Sequence, residues 1–231
     1  MRILCSHELL DVTWSVFQGG ERGADPHVHY EHADAFYVVD GVVTFRIGPA
    51  LEPVHAGAGT FVLVPPGVVH GFDNDSDSVA SWLNFHGPST GFAGYLRGER
   101  DGFDSFDPPE DGGLDPALVV LANAESAETR GSDDHRLTLL GVDPRMSVVT
   151  IDAAPGVGAE SFSLSAEVDG FFVLAGEVEL TLEDRTLTGG PGTWMAAGPG
   201  ESHALRSAGN EPASILNVRA PDAGFAETLR R

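Results

Sequence analysis

The stretch that decides the fold is PHVHYEHADAFYVVDG, residues 26–41. It places three histidines just before an apolar run with the alternation of a β-strand. His27 and His29 are two positions apart, so in an extended strand their side chains point to the same side. They are either metal ligands or polar residues on the solvent side of a strand. A second copy of this segment, later in the chain, helps to decide between the two.

The chain repeats itself. ADAFYVVDGVVTF (33–45) aligns with VDGFFVLAGEVEL (168–180), and GTFVLVPPGVVH (59–70) aligns with GTWMAAGPGESH (192–203). Several matched segments at a nearly constant offset indicate a tandem duplication. Each copy consists of short apolar runs separated by glycine, proline, asparagine and aspartate, which predicts a small antiparallel barrel or sandwich.

The predicted fold class is therefore all-β, with two tandem jelly-roll-like barrels joined by a short helical linker. We predict an N-terminal barrel over 1–97, an acidic linker over 98–135 and a C-terminal barrel over 136–231. Asp115 followed by proline predicts the start of a short helix in the linker. A second short helix is expected over 89–99, capped by Ser89 or Thr90.

Composition narrows the class of protein. The net charge of −22 opposes binding to nucleic acid or to an anionic membrane surface, so neither is expected as a partner. The chain has no lysine, which excludes a Schiff-base or phosphate-loop lysine. Its one cysteine, Cys5, cannot form an intrachain disulfide. With no signal-peptide pattern and no apolar run of membrane-spanning length, a cytoplasmic location is expected.

The side chains of one strand face identify the candidate site. Asp34 shares a face with Phe36 and Val38, and because these two are apolar the face is predicted to be the barrel interior. A turn over 30–33 would bring Asp34 to the two histidines, and His70 follows a Pro-Pro-Gly turn that delivers it to another strand. Three imidazoles and one carboxylate suit one divalent transition metal, and ligand identity alone does not choose among Fe, Mn, Co, Ni, Cu and Zn. Fe, Mn, Ni or Cu are favoured if the reaction uses oxygen, with Zn or Co as alternatives.

These residues resemble the two sequence motifs of the cupin superfamily. The first motif is matched by His27, His29, Asp34 and Gly41, with aspartate in place of the usual glutamate and the leading glycine shifted to Gly23. The second motif is matched in full by Gly59, Pro65, Gly67, His70 and Asn74. With its duplication, the whole chain is similar to bicupins of the quercetin-dioxygenase type. Asp34 is one methylene shorter than glutamate, so it either binds the metal directly or orients water or substrate beside it.

The second copy supports an interior position for the first pair of histidines. Phe162 and Leu164 occupy the positions of His27 and His29, while Asp169 and His203 are retained. Phenylalanine and leucine favour an apolar interior, where a metal would satisfy otherwise costly imidazoles. The C-terminal barrel is predicted to bind no metal.

The resemblance implies a metal-dependent dioxygenase that acts on a small aromatic or enolisable molecule, with Asp34 as general base. Two alternatives stay open: a non-oxidative isomerase, lyase or cyclase that uses the same metal, and a non-catalytic small-molecule-binding protein. The chain could also form a homodimer.

Residues around the site receive separate expectations. Phe36 and Phe72 share faces with ligands and could line a pocket, although core packing is the simpler interpretation. Tyr30, Glu31 and His32 are expected to be solvated turn residues near the barrel mouth, where one could contact substrate. His86 is expected at the surface, with a position beside the metal ligands as the alternative, and Asn74 is expected to fix a turn. The acidic run over 101–115 is expected to be solvated.

Overall fold

The structure, a computed structural model, describes residues 1–230 and confirms an all-β architecture. The chain divides into two compact units, Met1–Glu125 and Ser126–Arg231. The segment predicted as a linker is shared between them, because its residues up to 125 belong to the first unit. No helix among the described residues is both long and apolar enough to span a membrane.

The first unit contains a six-stranded antiparallel sheet and a three-stranded one. The larger sheet has the order β1-β2-β8-β3-β6-β9, formed by β1 (Arg2–His7), β2 (Leu10–Phe17), β3 (Ala33–Asp40), β6 (Thr60–Val64), β8 (Ala80–Gly87) and β9 (Val120–Asn123). The smaller sheet has the order β5-β4-β7, formed by β4 (Val42–Ile47), β5 (Glu52–Gly57) and β7 (His70–Asp73). Helix α1 (Phe92–Leu96) follows β8.

The second unit repeats this plan. Its larger sheet has the order β10-β11-β12-β18-β13-β16, formed by β10 (Thr129–Gly131), β11 (His135–Asp143), β12 (Met146–Ala153), β13 (Val168–Ala175), β16 (Trp194–Ala197) and β18 (Ala213–Ala220). Its smaller sheet has the order β15-β14-β17, formed by β14 (Val178–Leu182), β15 (Thr186–Gly189) and β17 (His203–Ser207). Helix α2 (Phe225–Arg230) follows β18.

In each unit the two sheets face each other across an apolar core. In the first unit Phe36 and Trp82 from the large sheet meet Phe45 from the small sheet, and all three side chains are fully buried. In the second unit Ile215 and Leu180 hold comparable positions. Burial of such side chains contributes about 1.5–3 kcal/mol each, which makes these cores the main source of stability in both barrels.

The same tight turn joins equivalent strands in both units. Gly41 and Gly176 have φ values of +76° and +74°, a conformation that side-chain-bearing residues rarely adopt. A Cβ atom at either position would also approach a backbone carbonyl oxygen, of Val79 or Pro212 respectively, to within about 2.5 Å. The turn therefore requires glycine at both positions, as the aligned repeat indicates.

The two short helices differ from expectation. The helix predicted after Asp115 is one 3₁₀ turn, Pro116–Leu118, capped by the Asp115 side chain, and the chain then enters β9. The apolar run that follows the turn pairs with β6 instead of continuing as a helix. The helix predicted over 89–99 is present as α1, but Gly91, with a left-handed backbone, takes the cap position expected for Ser89 or Thr90.

Candidate metal centre

Backbone pairing brings the histidine-bearing segments together. The amide of His27 donates to the carbonyl oxygen of His70 at 2.8 Å, and the amide of His70 donates to that of His27 at 2.9 Å. The Gly67 amide donates to the carbonyl oxygen of His29 at 2.7 Å. The Pro-Pro-Gly turn therefore delivers His70 to the extended segment that carries the other two histidines, as the sequence predicts.

Four side chains then converge inside the first barrel. His27 Nε2 lies 3.2 Å from His29 Nε2, and Asp34 Oδ2 lies 3.2 Å from His70 Nε2 and 3.5 Å from His29 Nε2. One donor atom from each of the four residues falls within 4.8 Å of all the others. His29, Asp34 and His70 are at most 2% exposed, and His27 is half-buried.

The other ring nitrogen of each histidine fixes its tautomer. His27 Nδ1 lies 2.8 Å from the Asp25 carbonyl oxygen, His70 Nδ1 lies 3.0 Å from the Val68 carbonyl oxygen, and His29 Nδ1 contacts the Asp104 carbonyl oxygen. A carbonyl oxygen only accepts hydrogen bonds, so each Nδ1 carries the proton. Each Nε2 therefore presents a lone pair to the centre, which is the arrangement that metal-bound histidines adopt.

Burial favours the neutral form of the His27 imidazole. Burial, together with the neighbouring imidazoles of His70 and His29, lowers the pKa of His27 to about 4. Neutral imidazole is the form that binds a metal, so His27 is ready to act as a ligand at physiological pH.

The two oxygens of Asp34 face different partners. Oδ2 belongs to the convergent group, while Oδ1 accepts a hydrogen bond from Asn84 Nδ2 and lies 3.2 Å from His86 Nε2. Burial by itself would raise the pKa of Asp34, but the neighbouring imidazoles, His86 first and then His29 and His70, hold it well below its usual range. The shorter side chain thus reaches the centre as an ionised carboxylate.

His86 does not lie at the surface as the sequence suggested. It is 3% exposed, and its Nδ1 atom is buried without a hydrogen-bond partner among the described residues. The physical reason is register: His86 in β8 pairs directly with Asp34 in β3, and both side chains point into the barrel. Strand alternation along SWLNFH, which places Trp82, Asn84 and His86 on one face, was the signal that could have identified it.

An acidic residue from the predicted linker anchors the histidine loop. The Asp104 carboxylate accepts hydrogen bonds from the amides of Tyr30, Glu31 and His32 and from His32 Nδ1 at 2.9 Å. Asp104 and His32 are both buried, so the expected solvated run and surface histidine are wrong at these two positions. Residue 106 also pairs with Val28, which holds the segment against the barrel.

The remaining loop residues match their predicted environment. Tyr30 and Glu31 are exposed, and Asn74 fixes a turn: its Nδ2 donates to the Ser78 carbonyl oxygen at 2.7 Å, while its Oδ1 accepts from the Ser76 hydroxyl group at 2.7 Å.

A cavity of about 300 Å³ opens onto the convergent side chains. Its walls are largely aromatic, from Phe17, Phe72, Trp82, Phe92, Tyr95 and Phe103. The sequence left open whether Phe36 and Phe72 line a pocket or pack in the core. Phe72 lines the cavity. Phe36 packs in the core against Phe45, with ring centroids 4.8 Å apart. Ser15 and Trp82 line the same space, and their Oγ and Nε1 atoms are buried without hydrogen-bond partners within residues 1–230.

The second barrel keeps half of the arrangement. His203 Nε2 lies 3.1 Å from Asp169 Oδ2, and Asn217 Nδ2 donates to Asp169 Oδ1, as His70 and Asn84 do with Asp34. Phe162 packs on the His203 ring with centroids 4.5 Å apart, in the place of His27. Arg219 takes the place of His86, with Nε 3.4 Å from Asp169 Oδ2. A guanidinium group thus neutralises the carboxylate.

The first barrel fits a metal ion on chemical grounds. Two imidazole lone pairs that face each other at 3.2 Å, beside an ionised carboxylate, repel one another unless a cation lies between them. Nitrogen and oxygen donors of this kind suit divalent transition metals. His27, His29, Asp34 and His70 are the residues that could hold the ion.

Comparisons with solved structures identify proteins that share this fold. Solved structures of oxalate decarboxylase from Bacillus subtilis superpose on 93% of this chain. For one single-residue variant, the superposition includes 70% of the enzyme chain, with a TM-score of 0.68 and 13% sequence identity. A structure from a study of the Mn(II) centres of the same enzyme gives a TM-score of 0.66 and 15% identity, again over 70% of that chain. Curated protein sequences gave no significant match.

The family comparison covers more than half of the chain. The family described as "Cupin domain" matches residues 13–86 and 149–219, which correspond to the two barrels. Both matched ranges contain the inward-facing carboxylate, Asp34 in the first and Asp169 in the second. From its matched sequence, its duplicated topology and its convergent side chains, the chain belongs to the cupin family and carries two cupin domains.

Proposed function

We propose that the first barrel is a mononuclear metal centre and that the protein is a cupin oxidoreductase, a dioxygenase acting on a small aromatic or enolisable molecule. The observation that carries this proposal is the convergence of three imidazole Nε2 atoms and one carboxylate oxygen at the end of an aromatic cavity. With four protein ligands, a bound ion would still have room in its coordination shell for small ligands.

Manganese and iron are the first metals to test. The structural neighbour with Mn(II) centres supports manganese, and the donor set suits either ion. When bound, such an ion acts as a Lewis acid on a substrate oxygen, lowers the pKa of a coordinated hydroxyl group and, if redox-active, permits reaction with dioxygen.

The protein residues supply binding and orientation. The aromatic walls, Phe72 and Phe103 among them, accept a planar apolar body and exclude water. Ser15 and Trp82 add a hydroxyl group and an indole N–H, both without hydrogen-bond partners among residues 1–230, to the side chains around the cavity. Asn84 and His86 hold Oδ1 of Asp34 and so direct Oδ2 to the metal. In this proposal Asp34 would help to hold the ion and could act as a general base on the substrate.

Metal content is the first measurement. Untagged protein, purified without added metal or chelator, is expected to contain about one transition-metal ion per chain by mass spectrometry, because one barrel has a full ligand set. His70→Ala should lose the ion. His203→Ala is the matched control, since it removes a histidine with the same two contacts from the second barrel and should retain the ion.

Oxygen uptake separates the proposed reaction from its alternatives. Protein reconstituted with Mn²⁺ or Fe²⁺ would be supplied with a catechol, a flavonol and a 1,3-diketone under air and under nitrogen. Turnover that requires air and is lost in His70→Ala supports the dioxygenase. Turnover under strict anaerobiosis would support a metal-dependent isomerase, lyase or cyclase instead. Absence of metal after reconstitution would leave the binding-protein alternative.

A further inference from the structure

The second barrel encloses a cavity of its own, of about 150 Å³. Its walls are mainly apolar, from Leu137, Ile151, Phe162, Phe171, Leu205 and Phe225. A dry apolar cavity of about this volume holds one benzene ring in other proteins. The space therefore accommodates a ligand of one ring or of a short aliphatic chain.

One end of this cavity is charged. Arg219 lines it with its side chain 14% exposed, and its guanidinium carbon lies 3.6 Å from the Phe225 ring centroid and 5.5 Å from that of Phe162. Stacking between aromatic rings holds the planar group in one orientation. Five N–H donors on a fixed plane match the two oxygens of a carboxylate.

Polar atoms at the cavity lack partners in the part of the chain that the structure describes. Arg219 Nε and Ser207 Oγ are both buried without a hydrogen bond, although Arg219 Nε lies 3.4 Å from Asp169 Oδ2 as an ion pair. A buried polar group without a hydrogen bond is unfavourable, so a ligand that lets these side chains turn toward its oxygens would be stabilised.

The charge balance leaves room for an anion. Asp169 is approached by two groups that can be cationic, Arg219 at 3.4 Å and His203 at 3.1 Å, and also accepts from Asn217. Burial opposes the charge on His203, but its hydrogen bond with Asp169 dominates and raises the pKa of this imidazole. One carboxylate therefore faces two cations when His203 is protonated.

We propose that the second barrel is a metal-independent binding site for a small apolar carboxylic acid, with the carboxylate on Arg219 and the ring or alkyl body among the apolar walls. The barrel that lost two metal-ligand positions to Phe162 and Leu164 has thereby become a pocket of different chemistry. This site is separate from the metal centre, and its occupancy does not depend on the function proposed for the first barrel.

Calorimetric titration of the full chain tests the proposal. Metal is removed beforehand with a chelator, so that the carboxylate of the probe cannot coordinate a metal ion in the first barrel. Sodium benzoate and benzyl alcohol, which share a ring but differ in charge, are the two probes. Benzoate is expected to bind the wild-type protein about tenfold or more tightly than the alcohol, because only benzoate forms a charge-assisted pair with the guanidinium.

Two arginine variants give the matched comparison. Arg219→Met keeps the apolar stem and should weaken benzoate binding by about tenfold or more. Arg206→Met is the control: Arg206 lines the same cavity but is half exposed and paired with Glu179 at 2.7 Å, so its loss should change affinity by about twofold at most. His70→Ala should bind benzoate as the wild type does.

Three results would overturn the proposal. They are equal affinity for benzoate and benzyl alcohol, equal losses in the two arginine variants, and loss of benzoate binding in His70→Ala. The comparison of the two probes on wild-type protein remains decisive if Arg219→Met fails to fold after leaving Asp169 without its guanidinium partner.

Discussion

His86 Nε2 lies 3.2 Å from Asp34 Oδ1, while the other oxygen of the same carboxylate lies 3.2 Å from His70 Nε2. Asp34 is therefore held between an orienting side, formed by His86 and Asn84 at Oδ1, and the convergent histidines at Oδ2. The position of this carboxylate is thus fixed by strand β8.

Asn84 tests the orienting side. Asn84→Ala should lower metal affinity by about 10–100-fold, because partners of a ligating carboxylate contribute that much in other metal sites. Asn217→Ala removes the same pair of hydrogen bonds, to Asp169 and to the Gly170 carbonyl oxygen, from the second barrel. Asn217→Ala should have a thermal stability similar to that of Asn84→Ala but bind metal with the affinity of the wild type. Competition with a fluorescent chelator measures both affinities, and equal effects would contradict the assignment.

Metal binding should stabilise the folded chain. A ligand that binds only the native state adds about 2.7 kcal/mol at a concentration one hundred times its dissociation constant. Chelation should therefore lower the free energy of unfolding of the wild-type protein, measured by urea titration. His70→Ala should unfold identically with and without chelator, and a chelator-sensitive His70→Ala would show that another site binds the ion.

Asp104 tests how the histidine loop is held. Asp104→Ala leaves the amides of Tyr30, Glu31 and His32 without their acceptor, and we expect a loss of about 2–4 kcal/mol in unfolding free energy. Metal affinity should also fall, because losing the carboxylate contacts loosens the segment whose backbone carbonyl at residue 104 positions the His29 ring. Asp101→Ala, an exposed residue of the same acidic segment, should change neither quantity. A stable, metal-binding Asp104→Ala would refute this role.

Protonation of His32 should make the folding stability of the metal-free protein depend on pH. Burial, followed by the neighbouring His86 and His29 imidazoles, lowers the pKa of His32 to about 3, below the ordinary value of 6.5. Between pH 3 and 6.5 His32 is more protonated in the unfolded chain than in the folded one. The contribution of the neutral His32 ring to folding stability is therefore full above pH 6.5 and is lost as the pH falls toward 3. One such proton gives a slope of about 1.4 kcal/mol per pH unit at most.

Urea unfolding of chelated protein between pH 5 and 7 measures this slope. His32→Asn keeps a donor for Asp104 and removes the titrating ring, so its stability should depend less on pH than that of the wild type. His55→Asn controls for the loss of an exposed histidine. An unchanged slope in His32→Asn would show that the buried ring does not determine the acid sensitivity.

Much of the site could be predicted because its signals are local. The period of two along a strand places His27 and His29 on one side, and a glycine turn fixes where the next strand begins. The duplication adds an internal comparison, since Phe162 and Leu164 show which way the first pair points. These patterns depend on neighbours a few residues apart, and the sequence displays them directly.

The tertiary structure alone decided the surroundings of that site. Asp104 meets the histidine loop across 72–75 residues of chain, and nothing in an acidic, turn-rich segment distinguishes it from its solvated neighbours. His86 reaches Asp34 only through the register of β3 against β8. By itself the sequence determined the two barrels, the four convergent side chains and the altered second copy. The tertiary structure decided which distant groups hold those side chains: the Asp104 carboxylate, the Asn84 amide and the His86 imidazole. Long-range strand pairing and burial select these groups, and both are properties of the packed chain.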